Sequence, residues 1–192
     1  MDLTCYADLA VRLVNTAANI GSEPDWLGTA DSFRVFAEDH DMAGPCTPIT
    51  HQDLDALRML RAELTAIFLA AAERDHAGAA ARLNGLLVQY PIRPTLVRHG
   101  RSGWHLHLDD SGSVSDRYAA AAITGLATIV SEFGMSHLGI CAMPGCGSVF
   151  AGASPSRPGR YCADHYAGKP NVTALRNHRS SAGRFPASTA VG

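Results

Sequence analysis

"CAMPGCGSVFAGASPSRPGRYCADHYAGKPNVTALRNHR", residues 141–179, holds three of the chain's five cysteines and a cluster of arginines. The order is Cys141-x4-Cys146-x15-Cys162-x2-His165: two close pairs of donors separated by a loop. Two chelating turns about a loop are how a chain delivers four tetrahedral N and S ligands to zinc. Pro144 and Gly145 tighten the first turn. Gly147 accepts a positive φ, which lets backbone N–H groups aim at the Cys146 sulfur. The second turn, "CADH", offers a thiolate and an imidazole. Four donors with no position left open describe a structural Zn2+, one per chain, rather than a catalytic one. Ordinary free thiols, or a Cys141–Cys146 disulfide, are the competing readings. His178 competes with His165 as fourth ligand.

Working outward, the segment is basic. Residues 141–192 carry six Lys/Arg and one acid, Asp164, whereas residues 1–140 carry 10 Lys/Arg and 17 Asp/Glu. An acidic body with a basic end points to an anionic partner for that end, against the plainer reading of a solvated basic tail. Pro170 and Asn171 open a helix over about 171–181, which places Arg176 and Arg179 on one side, three apart. Arg157, Arg160, Lys169 and Arg184 flank it. The set Arg157, Arg160, Lys169, Arg176 and Arg179 is the candidate DNA-binding surface. The end, 183–192, reads as a disordered tail.

Upstream the pattern is helical. Leu9, Leu13, Val14, Ala17 and Ile20 predict a helix over 5–20, broken by "GSEP". Asn15-Thr16 reads as a polar pair capping that helix end. Phe33 and Phe36 mark the buried side of a helix over 29–39, and "HDMAGPCTP", 40–48, is a loop. Thr50 with Asp53 forms a capping box opening a helix to about residue 74, with Leu54, Leu57, Leu60, Leu64, Ile67 and Phe68 inward. Another helix covers about 77–89 and stops before Pro91.

The period then changes to two. "TLVRHGRSGWHLHLD", 95–109, predicts a hairpin turning at Gly100–Gly103. Trp104, Leu106 and Leu108 share one face; His105 and His107 share the other, either as a chelating pair or as the wet face of an edge strand. Ser113 with Asp116 caps an apolar helix over 115–134, ended by Gly134. "AGASPSRPG", 151–159, is a flexible loop. The expected architecture is mainly α (α+β): a helical domain with a small β-hairpin over 1–136, then a treble-clef or ribbon-like zinc finger with a basic helix over 137–182.

The chain is 46% hydrophobic with mean hydropathy −0.01, enough for a core, and no apolar run reaches the length of a transmembrane helix. No basic segment precedes an apolar run at the start, so a reducing, cytoplasmic setting is expected. There is no Ser-His-Asp arrangement, no Gly-rich phosphate loop and no open three-ligand metal site, so an enzyme is not expected.

The 141–179 segment resembles the CGNR zinc-finger family, in which a C-terminal finger follows an N-terminal ABATE domain. The matching pattern is Cys141, Cys146, Phe150, Ser154, Arg160, Tyr161 and Cys162, with "NVTALRNHR" resembling the basic helix that follows. "DLAVRLVNT", "LRMLRAEL" and "ARLNGLL" resemble ABATE segments in the expected order. The chain departs from the family in three places. The Cys-Gly-Asn-Arg signature is replaced by "HYAGKPN", the family's fourth ligand is a Cys slightly later than His165, and an acid two residues after the Phe is here Gly152. The resemblance implies a stress-induced transcription regulator: DNA as partner, with the helical domain forming a homodimer or sensing a small molecule. The alternative is a zinc finger that docks proteins without binding DNA.

Overall fold

In a computed structural model, the described residues are 6–17, 25–38, 48–92, 94–98, 104–108, 112–152 and 159–166. They form six helices: α1 (Ala7–Asn15), α2 (Ala30–Glu38), α3 (His51–Ala72), α4 (His76–Gln89), α5 (Val114–Phe133) and α6 (Ala163–Tyr166). Two antiparallel hairpins accompany them: β1 (Pro94–Arg98) with β2 (Trp104–Leu108), and β3 (Leu138–Ile140) with β4 (Val149–Ala151). The expected mainly α architecture with a small hairpin is what the chain adopts. The expected Gly100–Gly103 turn, residues 153–158 of the expected 151–159 loop and everything from 167 onward lie outside the described residues, and so do the side chains of β2, including His105 and His107.

The long helices start where local chemistry tells them to. Thr50 and Asp53 bond each other's backbone N–H reciprocally at the head of α3, and Ser113 and Asp116 do the same at α5. α3 and α4 are joined by a tight reversal. The Asp75 N–H bonds the Ala70 carbonyl at 2.9 Å and the Arg74 N–H bonds that of Ala71 at 3.1 Å, which places Arg74 at φ +65°. Asp75 then caps α4 by accepting from the Gly78 N–H.

α1 ends earlier than the apolar spacing predicts. The Thr16 hydroxyl donates to the Leu13 carbonyl at 2.5 Å, and the Thr16 and Ala17 N–H groups fold back onto Leu13 and Val14. These shorter bonds replace the next helical turn. Ile20 lies outside the described residues.

α5 is the central element, buried along most of its length against α1, α3 and α4. Its contact with α1 is close because of Gly125, where a Cβ would overlap the backbone of Tyr6 and Ala7. Tyr118 on α5 is fully buried and packs against Phe33 and Phe36 of α2, with ring centroids 6.2 and 6.4 Å apart. Its hydroxyl donates to the Leu9 carbonyl at 2.8 Å, and burial holds the phenol far above its ordinary pKa.

The second hairpin was not anticipated as strands. Its members are three residues each, too short for an alternation to register. β3 packs on α3 and β4 on α1, so Leu138 and Val149 belong to the same buried cluster as Leu13, Leu64 and Ile129. The β3–β4 hairpin is thus continuous with the helical core.

Candidate metal centre

β3 ends by delivering Cys141, and its register with β4 (Ile140 opposite Val149) folds the chain back through a tight loop. Gly145 at φ +78° and Gly147 at φ +68° make that loop possible, since both lie in the left-handed region that costs a side-chain-bearing residue energy. The Cys146 N–H bonds the Met143 carbonyl at 3.1 Å, and the Cys141 N–H bonds the Ser148 carbonyl at 2.8 Å, which closes the loop.

The second pair of donors is brought in by one backbone bond. The Ala142 N–H donates to the Arg160 carbonyl at 2.8 Å, laying residues 159–162 beside the loop. α6 begins immediately after Cys162. The His165 N–H returns to the Cys162 carbonyl at 3.1 Å and turns the imidazole back toward the sulfur.

The four donor atoms all lie within 4.8 Å of one another. Cys146 Sγ and Cys162 Sγ are 3.7 Å apart; His165 Nδ1 is 3.5 Å from Cys141 Sγ and 3.3 Å from Cys162 Sγ. A tetrahedral ion with metal–sulfur bonds of about 2.3 Å and metal–nitrogen bonds of about 2.0 Å has edges of about 3.8 Å between sulfurs and about 3.5 Å from sulfur to nitrogen. These three separations are close to those edges. They are far from the ~2.05 Å of a disulfide, and the three cysteines are free thiols. Three soft sulfurs and an imidazole in this arrangement could hold a metal ion.

The surroundings tune the thiols in opposite directions. Burial pushes Cys146 up, but hydrogen bonds from the Ser148 hydroxyl and N–H, and from Cys141 and Cys162, outweigh it and bring the thiol down to about 7. Cys162 is raised, chiefly by burial, with the crowding of the neighbouring thiols adding to it. Cys141 and Cys162 are buried, while Cys146 and His165 are partly open.

All four predicted ligands are therefore together. His178 lies outside the described residues, as do Arg157, Lys169, Arg176, Arg179 and the 171–181 helix; Arg160 is described, and its side chain is exposed. Three supporting residues were missed. Ser148 carried no signal beyond its place after Gly147. His137 is buried and pairs its ring Nδ1 and its carbonyl with Gly152, at 2.9 Å each, so the position where the related pattern carries an acid is here a backbone anchor. Asn15, read as a helix-end cap, instead reaches β4: its Nδ2 donates to the Val149 carbonyl at 3.1 Å and its Oδ1 accepts from the Val149 N–H at 2.9 Å.

Among the described residues no helix is long and apolar enough to cross a membrane. Comparison with curated proteins finds no match. The model of the ABATE family, described as "Putative stress-induced transcription regulator", matches residues 7–131. That span runs from the first residue of α1 almost to the end of α5, well over half of the chain, and the Cys3His cluster beyond it is compatible with a CGNR zinc finger. The chain belongs to the ABATE family.

Proposed function

We propose that this protein is a DNA-binding transcription regulator, with one structural Zn2+ per chain held by Cys141, Cys146, Cys162 and His165. The observation that carries the reading is the set of four donors gathered within 4.8 Å of one another, beside a domain of a regulator family. Zinc is favoured over other ions by a donor set of three thiols and an imidazole, and a fourth protein ligand leaves no position for substrate, which favours a binding protein over an enzyme. When bound, the ion supplies cross-linking and no chemistry. The residues do the rest. The Ser148 carbonyl holds the Cys141 N–H, the Ala142–Arg160 bond aligns the two ligand turns, and Arg160 is exposed.

On this reading the basic residues Arg157, Arg160, Lys169, Arg176 and Arg179 meet phosphates, and one or two read guanine edges. Neutralising ~4 phosphates gives a log–log salt slope of about −3.5, a weak grip for one finger. A specific regulator of this kind acts as a dimer, with the helical body supplying the dimer contact or a ligand-sensing site. The test is DNA binding across a salt series. The reading requires a slope near that value that flattens in Arg176→Ala/Arg179→Ala, and salt-independent binding would exclude it.

One observation favours a second reading. Met143, inside the first ligand turn, and Tyr161, just before the second, are 40% and 38% exposed, apolar side chains suited to docking a protein. That module would bind no DNA, and chelator would release its partner.

A further inference from the structure

One side chain joins the metal centre to the helical body. Asn15 is the last residue of α1, and its carboxamide forms a paired donor and acceptor contact with the backbone of Val149, 134 residues away. A carboxamide copies a peptide unit, so Asn15 meets β4 as a neighbouring strand would. Val149 itself is buried in the common core and adjoins Ser148, whose carbonyl accepts from the Cys141 N–H at 2.8 Å. On the other side of Asn15, the Thr16 hydroxyl accepts from Arg61 Nη1 at 3.1 Å. Arg61 forks onto Asp25 at 2.6 and 2.8 Å, which ties the end of α1 to α3.

We infer that Asn15 is a positioning residue for the metal centre, coupling ion binding at Cys141, Cys146, Cys162 and His165 to the ordering of the α1 end. The inference rests on the metal reading above. An ion draws the Cys141–Cys146 loop together, and the loop sets β4. β4 in place satisfies the Asn15 amide, which otherwise loses both partners in a partly buried position. Coupling of this kind is reciprocal: whatever holds Asn15 in place tightens the ion, and the ion steadies α1.

The test uses the full chain and Zn2+ alone. Zn2+ affinity is measured by competition with a chromophoric chelator for wild type, Asn15→Ala, Asn15→Asp and Tyr118→Phe. The last variant removes the phenol's bond to Leu9 in the same helix without touching the finger. Two lost hydrogen bonds predict a Zn2+ affinity about 10- to 100-fold weaker in Asn15→Ala. Asn15→Asp keeps the acceptor and loses the donor, and should fall between. Tyr118→Phe should stay within about twofold of wild type, since distant sites act independently. Hydrogen exchange supplies a second readout. Stripping Zn2+ from wild type should deprotect Leu13–Thr16 together with 138–151, whereas in Asn15→Ala only 138–151 should respond.

The inference is overturned if Asn15→Ala binds Zn2+ as wild type does, or if Tyr118→Phe weakens Zn2+ equally. It is also overturned if wild type holds Zn2+ and the α1 amides ignore its removal; that measurement alone decides should Asn15→Ala fail to fold. Wild type that takes up no Zn2+ overturns the metal reading itself, an outcome separate from the other three.

Discussion

Asp53 and Ser115 join the heads of the two longest helices. The Ser115 N–H and hydroxyl donate to Asp53 Oδ1 at 3.2 and 3.0 Å, while Thr50 donates to Asp53 Oδ2 from its N–H at 3.0 Å and its hydroxyl at 2.6 Å. One buried carboxylate thus completes the capping box of α3 and fixes the start of α5 against it. Asp53→Ala loses the carboxylate half of the capping box and leaves the Ser115 donors unpaired. The expected cost is about 2–3 kcal/mol, read from urea unfolding midpoints. A cost below about 0.5 kcal/mol would show that the two helix heads are held by packing alone.

The same carboxylate makes stability depend on acid. Burial pushes Asp53 up, but the bonds from Thr50 and Ser115 outweigh it and leave its pKa below the ordinary carboxylate value. The Arg61 fork does the same for Asp25. Both are therefore depressed in the folded chain. Their contribution is fully present above the unfolded value of about 4 and is lost as pH falls through the folded values. Wild type should lose more stability than Asp25→Asn/Asp53→Asn between about pH 5 and pH 3. Parallel curves for the two would contradict this assignment.

Gly125 sets how close α1 lies to α5. Gly125→Ala has no room, because the obstruction is the backbone of Tyr6 and Ala7 rather than a flexible side chain. The expected loss is about 3 kcal/mol, visible as a fall in Tm. A variant that gains stability from helix propensity would mean that α1 docks differently.

Arg74 makes the opposite prediction. It holds φ +65° in the α3–α4 reversal, a conformation that glycine adopts without strain. Arg74→Gly should stabilise by about 0.5–1 kcal/mol in thermal unfolding.

Much of this was readable along the chain, and the reason is range. The Thr50–Asp53 and Ser113–Asp116 capping boxes span three residues. Leu54 to Phe68 repeat at helical spacing. Cys141, Cys146, Cys162 and His165 keep a ligand spacing that few other demands would produce. What stayed hidden is long-range. Asn15 finds Val149 across 134 residues, and Ser115 finds Asp53 across 62. Neither residue type announces such a partner, because an Asn or Asp near a helix end is explained equally well by a local cap. The three-residue strands β3 and β4 were invisible for a different reason. Their pairing is dictated by the ligand loop between them and by the core beneath Leu138 and Val149.

The most direct test of the metal centre is native mass spectrometry of the reduced chain, with and without chelator. It predicts one Zn2+ per chain, kept in His178→Ala and lost or greatly weakened in His165→Ala and Cys162→Ser. A freshly purified, reduced chain that carries no Zn2+ and accepts none would contradict it, and would leave the basic segment without a platform.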